Sequence, residues 1–169
     1  MAAVDFFLKI EGIDGESSDS SHKGEIEIAS FSWGVSNSAH ATGGGGGAGK
    51  VAFQDIHFTT RASKASPQLM LACAGGTTKG AMLTCRKAGK GQLEFLKIKL
   101  TDVLISSYSI CGNEGETPMD EFSLSFSKID FSYTPVAADG SVDQPVVGSL
   151  TNPDSVGRAG MTLRKSTPL

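Results

Sequence analysis

The clearest hydrophobic pattern in the chain is a strand-like alternation that changes phase near residue 30. Ile26 and Ile28 alternate with glutamates, which predicts a β-strand with one buried face and one solvent-exposed face. Phe31 and Trp33 have the opposite parity, so an uninterrupted strand would place the two pairs on opposite faces. Either a bulge near Ala29-Ser30 returns all of them to one core, or both faces of the strand are covered. The bulge is the simpler interpretation, because sharply bent strands form the corners of small barrels.

The same change of phase occurs twice more along the chain. Apolar residues fall on positions 51 and 53 and then on positions 56 and 58. Between residues 122 and 133 the apolar positions change from even to odd at Ser127-Lys128, which places Ile129, Phe131 and Tyr133 on one predicted core face. Bent strands at three places in 169 residues predict a closed or nearly closed sheet rather than a flat one.

The remaining periodicity is also that of short strands. Alternating apolar residues predict strands at Val4 to Ile10, Gly80 to Lys87 and Gln92 to Leu104, with turn-forming residues between the segments. In the last of these strands, Lys97 and Lys99 occupy the face opposite the apolar residues. About eight strands and one helix predict a mainly β fold, namely an antiparallel β-barrel of two packed sheets with one short α-helix.

The single helix is predicted between residues 66 and 75. Ser66 is suited to the N-cap, Pro67 to the first helical position, and Gly75 to the point where the helix ends. The apolar residues within it are Leu69, Met70 and Cys73. Ser66 invites comparison with a catalytic nucleophile, but no G-x-S-x-G motif surrounds it, and we assign it a structural role.

A long loop is predicted from Ser36 to Lys50, and it contains five consecutive glycines, Gly43 to Gly47. Its last residues, Gly44 to Lys50, satisfy the G-x-x-x-x-G-K pattern of a phosphate-binding loop. The next residue is Val51 rather than serine or threonine, the flanks are strand-like, and no helix follows that could face a phosphate. We therefore interpret the segment as a flexible loop that becomes ordered on contact with a partner.

Composition and charge disfavour several classes of function. The chain has 15 basic and 18 acidic residues and a formal net charge of −3, which does not favour nucleic acid or a membrane surface as a partner. The first residues carry no basic leader and no long apolar run follows, so neither a secretory signal nor a membrane-spanning helix is expected. The three cysteines lack C-x-x-C spacing, so we predict buried thiols, without a disulfide framework, metal or cofactor.

The titratable residues show no catalytic pattern. The three histidines are His22, His40 and His57, and no carboxylate pair or nucleophile stands in a recognisable motif with them. Asp55 lies two residues from His57 on one predicted strand, but these two residues alone do not make a metal site. The sequence therefore predicts a protein that is not an enzyme.

The periodicity weakens after Thr134. Pro145 would confine any following strand to a sheet edge, and Gly148 to Leu169 mixes serine, threonine, glycine and proline with little alternation. We predict a β-barrel domain over residues 1–140 and a loosely structured C-terminal tail over residues 141–169, or a tail that a neighbouring subunit orders.

Several segments occur in the order and at the spacing found in a known family. They are residues 7–17 (FLKIEGIDGES), residues 26–34 (IEIASFSWG), Lys64-Ala65-Ser66-Pro67, Ser106-Ser107, and residues 121–126 through to Tyr133. Over about residues 4–140 the chain resembles the haemolysin-coregulated protein (Hcp) family, the tube subunit of type VI secretion systems. Ser63 stands where the family often has an acidic residue, and the tail lacks the aromatic-containing closing segment common in the family.

The resemblance implies a β-barrel protomer with a lateral helix, six copies of which form a ring. Rings stack into a hollow tube that a contractile sheath propels out of a Gram-negative bacterium, and the lumen holds small effector proteins. The implied partners are other copies of the chain and the spike, sheath and effector proteins of the secretion system. The implied location is the bacterial cytoplasm before firing, followed by secretion without a signal peptide. Open sheet edges and head-to-tail contacts suit such an assembly.

Two surfaces are candidates for this role. The glycine-rich loop either makes the ring-to-ring contact or is an inert surface loop, and its candidate residues are Ser36, Asn37, Ser38, Thr42, Gly43, Gly47 and Lys50. The face that carries Lys97 and Lys99 either lines the lumen or is simply solvated. The candidate structural residues are Trp33, Phe31, Ser66, Pro67, Gly75 and Tyr133. The alternative function is a monomeric β-barrel that binds a small apolar ligand.

Overall fold

The computed structural model describes residues 3–38, 51–76, 79–89, 91–152 and 161–165. Its elements, in chain order, are β1 Val4–Ile10, β2 Ile26–Ile28, β3 Ser30–Ser32, β4 Val35–Asn37, β5 Val51–Phe53, β6 Ile56–Arg61, α1 Ala65–Gly75, β7 Lys79–Lys87, β8 Glu94–Cys111, β9 Met119–Ser125, β10 Lys128–Tyr133, β11 Val146–Thr151 and β12 Met161–Lys165. Most of the predicted glycine-rich loop, including Thr42, Gly43, Gly47 and Lys50, lies outside the described residues.

Two antiparallel sheets share one long strand, β8. The first sheet has the order β2–β1–β7–β8–β10–β11–β12, and the second has the order β3–β6–β9–β8. Residues 94–103 of β8 pair with β7, whereas residues 104–111 pair with β9. Since β2 leads into β3, these strands form a closed circuit, and β10, β11 and β12 extend the first sheet beyond it. The predicted mainly β class, with two packed antiparallel sheets and one short helix, is confirmed.

Side chains from both sheets fill the space between them. The largest fully buried side chains are Phe58, Phe122, Leu8, Ile26, Ile56, Leu69, Leu83, Ile98, Leu100, Leu124, Ile129 and Val103. The rings of Phe58 in β6 and Phe122 in β9 stack with their centroids 5.3 Å apart. The interior is therefore a packed core, stabilised by the removal of apolar surface from water.

The first change of phase is a change of sheet. β2 pairs with β1 in the first sheet, and β3 pairs with β6 in the second, so the chain crosses between sheets at Ala29. The Ala29 amide donates to the Thr59 carbonyl at 2.8 Å, which keeps the crossing hydrogen-bonded. The isoleucines of β2 are buried, and Phe31 and Trp33 pack against the same core. The position of the irregularity matches the prediction, but it is a break between two strands rather than a bulge.

The other two changes of phase have the same origin. β5 pairs with β4 in a two-stranded sheet of their own, and β6, which follows it, belongs to the barrel. β9 lies in the second sheet, and β10 lies in the first. An alternation that changes parity in this chain thus marks the point where the chain leaves one sheet for another.

Part of the predicted core face of β10 is exposed. Ile129 is buried, but Phe131 is 37% exposed and Tyr133 is 45% exposed, so the prediction that both are core residues is wrong. β10 belongs to the extension of the first sheet, where the residue paired with Phe131 in β11 is Gly148. A glycine has no side chain that could cover the neighbouring ring.

The helix begins two residues before the predicted position, and its closing residue lies one residue after the predicted glycine. Its N-cap is Lys64, without a side-chain cap, and Ser66 and Pro67 lie inside its first turn. It ends with Gly75, and Gly76 adopts the left-handed conformation at φ 63° that closes such helices. The prediction of Ser66 as the N-cap is wrong because its hydroxyl is used elsewhere: it accepts a hydrogen bond from the Ser63 amide and donates to a carboxylate of β9.

A strained residue marks the point where β8 passes between the sheets. Asp102 has φ 50°, a left-handed conformation that is uncommon for residues other than glycine. The Ser127 hydroxyl donates to the Asp102 carboxylate at 2.8 Å, and the Ser127 amide donates to the Thr101 carbonyl at 3.0 Å. Ser127 lies between β9 and β10, where the chain also passes from one sheet to the other. The hydrogen bonds therefore connect this crossing to the crossing within β8.

The region predicted as a loosely structured tail contains two strands. Residues 146–151 of β11 pair with all six residues of β10, and β12 pairs with β11. Asp130 of β10 accepts a hydrogen bond from the Ser149 hydroxyl, which adds a side-chain contact to the pairing. The division of the chain into domains at residue 140 stays a prediction.

The strained crossing predicts an order of stability between two variants. Asp102→Ala and Asp102→Gly both lose the bond to Ser127, but only glycine relieves the left-handed strain of about 1–2 kcal/mol. Because glycine also has greater freedom when unfolded, we expect the glycine variant to be more stable by about 0.5–1 kcal/mol in urea unfolding. Equal stability, or a more stable alanine variant, would contradict the strained crossing.

Candidate interaction surfaces

The β4–β5 pair carries the described part of the predicted glycine-rich loop. Ser36 and Asn37 lie in β4, paired with Ala52 and Val51 of β5, and Ser38 follows them. All three are exposed. The sequence predicted a loop beginning at Ser36, whereas the structure places the first two residues of that loop in a strand. The pair brings residues 37 and 51 together, so the intervening segment begins and ends at one point.

The two candidate lysines lie on the face of β8 that points away from the core. Lys97 forms an ion pair with Glu94, with 2.7 Å between Nζ and Oε2, and is partly buried. Lys99 is exposed and pairs across the sheet with Asp130 of β10 and Met82 of β7. The structure therefore distinguishes two residues that the sequence treated alike, because Lys97 is partly buried in an ion pair and Lys99 is exposed.

An apolar surface that sequence reasoning assigned to the core lies on the extension of the first sheet. Phe131 and Tyr133 of β10 share a face with Val146 of β11, which is 37% exposed. The Tyr133 ring meets the Phe95 ring edge to face, with centroids 6.3 Å apart. We call Phe131, Tyr133 and Val146 the apolar edge face. The sequence held no signal for its exposure, because its alternation is the same as that of a buried strand.

Residues 11–25, which connect β1 to β2, lie over the charged face of the first sheet. The guanidinium of buried Arg86 in β7 donates two hydrogen bonds to Asp19, at 2.9 and 2.7 Å, and a longer one to Asp5 at 3.4 Å. Its central carbon also lies 4.8 Å from the centroid of the Phe7 ring. Arg86 holds the pKa of the Asp19 carboxyl well below its usual range, and Asp19 raises the pKa of Arg86. Sequence reasoning missed this cluster because its members are far apart in the chain.

The helix is attached to the second sheet through a fully buried carboxylate. Asp120 of β9 is 0% exposed and accepts hydrogen bonds from the Ser66 hydroxyl and from the Tyr108 hydroxyl, the latter at 3.0 Å. Burial first, and then the neighbouring Asp120, raise the pKa of Tyr108, so its hydroxyl keeps the proton that it donates. The structural role predicted for Ser66 is thus to hold the helix against β9 rather than to cap it.

Hydroxyl groups cluster on the outer face of the second sheet. The Ser106 hydroxyl donates to Asp55 at 2.7 Å and lies 2.7 Å from the Ser123 hydroxyl, which also contacts Ser107. An irregularity in the β8–β9 pairing between Ile105 and Ser107 brings both serines of β8 to the same partner. The cluster fixes the turn between β5 and β6 through Asp55, and Ser123 is buried beneath it.

The cysteines have three different environments. Cys85 is buried, and its burial raises the pKa of its thiol to about 11, so it behaves as a small apolar group. Cys73 is half-buried, and Cys111 is exposed at the end of β8, so the prediction that every thiol is buried is wrong for Cys111. The end of a strand leaves its side chains without a neighbouring element to cover them.

Within the part of the chain that the structure describes, no group of three or more histidine, cysteine, aspartate or glutamate residues could hold a metal ion. In the same residues, no helix has the length and apolar character needed to cross a membrane. His57 is exposed on β6, with no hydrogen bond to a nucleophile or a carboxylate among its described contacts.

Two clefts flank β2, and charged side chains line both. One has a volume of about 360 Å³ and is lined in part by Glu16, Glu27 and Arg61. The other has a similar volume, about 360 Å³, and is lined in part by Asp19 and Arg86. An apolar ligand in the first cleft would remove the charges of Glu16, Glu27 and Arg61 from water. A ligand in the second cleft would place an apolar surface against the ion pair of Asp19 and Arg86. Both are unfavourable. Neither cleft therefore suits the small apolar ligand of the alternative function.

Comparison with known proteins agrees with this fold. Residues 7–133 match the family model "Type VI secretion system effector, Hcp". The chain is 46% identical over 145 residues to Protein hcp1 of Pseudomonas aeruginosa, covering 83% of this chain and 90% of that protein. Among solved structures, Hcp1 from Salmonella typhimurium is 32% identical with a TM-score of 0.70, covering 89% of this chain and 95% of that one. A type VI secretion system effector from Yersinia pestis is 32% identical with a TM-score of 0.71, covering 88% and 100%.

These matches define a component of a type VI secretion system. More narrowly, the chain belongs to the Hcp family, which confirms the resemblance seen in its sequence segments. The matched residues run from within β1 to the end of β10, so they include the second sheet, the helix and the first sheet except β11 and β12. They also include Phe131 and Tyr133 of the apolar edge face.

The buried carboxylate gives a test of how the helix is attached. Ser66→Ala removes a donor from Asp120, and we expect it to lower the free energy of unfolding by about 1–3 kcal/mol, because a buried carboxylate oxygen loses its partner. Ser109→Ala is a matched control at an exposed position of β8, and it should change the free energy of unfolding by less than about 0.5 kcal/mol. Chemical denaturation measures both. Equal effects of the two substitutions would show that Ser66 does not hold the helix.

Proposed function

We propose that the chain is the inner-tube subunit of a type VI secretion system. Six copies form a ring, rings stack into a hollow tube, and the lumen carries effector proteins. The role is structural, and the protein is itself secreted, without enzymatic chemistry. Family membership over residues 7–133 supports the secretion-system assignment. The observation that carries the self-assembly is the apolar edge face, which the protomer leaves open.

The apolar edge face has the composition expected of a contact between subunits. Phe131, Tyr133 and Val146 are each about two-fifths exposed and stand together on adjacent strands. Aromatic side chains are enriched at protein interfaces because they bury a large area at a low cost in side-chain entropy. Covering this face with a neighbouring copy removes apolar surface from water at about 25 cal/mol per Å².

The face lies on β10 and β11 at one side of the first sheet. We propose a head-to-tail contact, in which a different part of the neighbouring copy covers this face. A contact between two unlike surfaces repeats from copy to copy, and it closes into a ring when the rotation between copies fits. In a closed ring a neighbouring copy therefore covers the face of every subunit, whereas in a monomer the face stays partly exposed.

The loop and lysine candidates keep their proposed roles within this assembly. The β4–β5 pair, with Ser36, Asn37 and Ser38, carries the segment that we propose for ring-to-ring contact. Lys99 is the stronger candidate for the lumen, because Lys97 is already paired with Glu94. We further propose that the subunit is held in the bacterial cytoplasm before firing. It then leaves with the tube, in contact with the spike, the sheath and the effectors.

Substitution of the apolar edge face tests the ring. Phe131→Glu places a charge where the neighbouring copy is expected to pack, and burying an unpaired charge costs several kcal/mol. We expect sedimentation to shift from a ring about six times heavier than the 17.5 kDa chain toward the monomer. Leu71→Glu, at a helix position that is 65% exposed, is the matched control and should leave the ring intact.

The same experiment separates the proposed function from its alternative. Circular dichroism and thermal unfolding verify that each variant is folded. A wild-type protein that remains at the mass of one chain at any concentration contradicts the ring and favours the ligand-binding barrel. Rings that persist unchanged in Phe131→Glu would place the contact on another surface.

Deletion of the five glycines tests the stacking contact. Removing Gly43 to Gly47 shortens the arm between β4 and β5, and we expect rings to persist while tubes at high protein concentration are lost. Replacing the same five residues with serine keeps length and flexibility, so it should preserve tubes. Electron microscopy of negatively stained samples counts both species. If the deletion variant forms as many tubes as the wild-type protein, the proposal that this loop makes the ring-to-ring contact is wrong.

A further inference from the structure

The His22 side chain lies between two carboxylates that come from different parts of the chain. Its residue is only 6% exposed. Nδ1 lies 2.9 Å from Oε2 of Glu25, and Nε2 lies 3.0 Å from Oε1 of Glu94. Glu25 is three residues away, just before β2, whereas Glu94 is the first residue of β8. The ring therefore links residues 11–25 directly to the strand that both sheets share.

The chemistry of imidazole makes this link dependent on a proton. A neutral ring has one N–H and one lone pair, so it can donate to one carboxylate only. The second nitrogen would then point its lone pair at negatively charged oxygen. A doubly protonated ring donates from both nitrogens, and hydrogen bonds between ionised partners are the stronger ones. Both distances are those of hydrogen bonds, which matches the doubly protonated form.

Glu94 is better placed to stay ionised than to carry the proton that it shares with His22. Burial raises the pKa of Glu94, but the hydrogen bonds and charges of Lys97 and His22 together outweigh it, and the pKa lies below its ordinary value. Lys97 holds the other oxygen of the same carboxylate at 2.7 Å. The proton at this contact therefore belongs to the histidine.

The surroundings also favour a positive ring. The charged groups in and next to the site are Glu25 and Asp19 of the same segment, Glu94 and Lys97 of β8, Arg86 of β7, and Asp5 of β1. Four of these groups are carboxylates and two are cations, so a proton on His22 reduces an excess of negative charge. The ring stacks on Phe7, with centroids 4.4 Å apart and planes 6° from parallel, which fixes the direction of both nitrogens.

The His22 link is one of several contacts that hold residues 11–25 in position, together with the hydrogen bonds from Arg86 to Asp19. The same segment contacts the start of the helix, where the Lys64 amide donates to Glu16 at 3.2 Å and the Asp14 amide donates to Gln68 at 3.2 Å. It closes on itself through the Gly15 amide, which donates to the Gly24 carbonyl at 2.8 Å. A change at His22 therefore reaches the connection between β1 and β2 and its contact with the helix.

We propose that His22 is a proton-dependent clasp that fastens residues 11–25 to β8. The doubly protonated ring closes the clasp, and loss of one proton breaks one of its two hydrogen bonds. The doubly protonated ring therefore adds stability to the segment, and that stability is lost as the pH rises and the ring gives up one proton. The inference concerns the single protomer and does not depend on the proposed tube.

Hydrogen exchange on the full-length protein tests the clasp. The probes are the amides of Gly15, Ser17 and Gly24, which are hydrogen-bonded within the segment. After correction for the intrinsic effect of pH, we expect their exchange to accelerate by about tenfold between about pH 5.5 and about pH 8 in the wild-type protein, as one charged hydrogen bond is lost. His22→Gln should exchange quickly at both pH values.

Two further variants separate the clasp from a general effect of pH. In Glu94→Gln, an amide can donate to the neutral ring, so exchange should stay slow at both pH values. His57→Gln changes an exposed histidine on β6 and should behave like the wild type. Wild-type exchange that is independent of pH would overturn the clasp, and so would the same acceleration in His22→Gln.

A second measurement needs no variant. Nitrogen-15 chemical shifts of the His22 ring distinguish a doubly protonated ring from either neutral form. We expect two protonated nitrogens in the wild-type protein under every condition in which the probe amides exchange slowly. A neutral His22 ring under those conditions would overturn the proposal.

Discussion

The fold depends on one requirement, that the backbone stays hydrogen-bonded where the chain passes between sheets. β8 meets it by pairing with β7 and β10 in its first half and with β9 in its second half. At the passage the strain at Asp102 is tolerated because Ser127 bonds to both the side chain and the neighbouring carbonyl. Buried backbone groups without partners would cost more than this local strain. The second passage, at Ala29, uses a backbone bond to Thr59 in the same way.

This requirement explains why part of the fold could be predicted from the sequence. Both sheets bury side chains in one core, so a chain that changes sheet must also change the parity of its apolar positions. The parity changes after Ile28 and again at Ser127, and both positions are real crossings. Phe31 and Trp33 pack against the core for the same reason. Alternation alone could not distinguish a bulge from a strand break, because both shift the phase by one residue.

Other features could not be predicted because they depend on residues far away in the sequence. Ser66 has the chemistry of a helix cap, but its hydroxyl is held by Asp120, 54 residues later. Phe131 has the alternation of a core residue, but it is exposed because the residue opposite it in β11 is Gly148. β11 itself has little alternation, since most of its residues are half-buried on both faces. The Arg86 and His22 contacts join segments with no common motif.

The charged face of the first sheet and the apolar edge face differ in how far the protomer itself buries them. The charged face of the first sheet is covered by the chain's own residues 11–25, whose Asp19 accepts two hydrogen bonds from Arg86. Phe131, Tyr133 and Val146 of the apolar edge face stay 37–45% exposed. An ionic contact within one chain responds to pH and hardly to protein concentration, because its partners are always present. An apolar contact between copies responds to concentration and hardly to pH, because Phe131 and Val146 carry no titratable group. With about two-fifths of each side chain exposed, the face offers apolar surface for the contact that we propose. In the proposed assembly, the stability of the subunit and the association of its copies would therefore depend on separate variables, so a variant that changes one of them can be distinguished from a variant that changes the other.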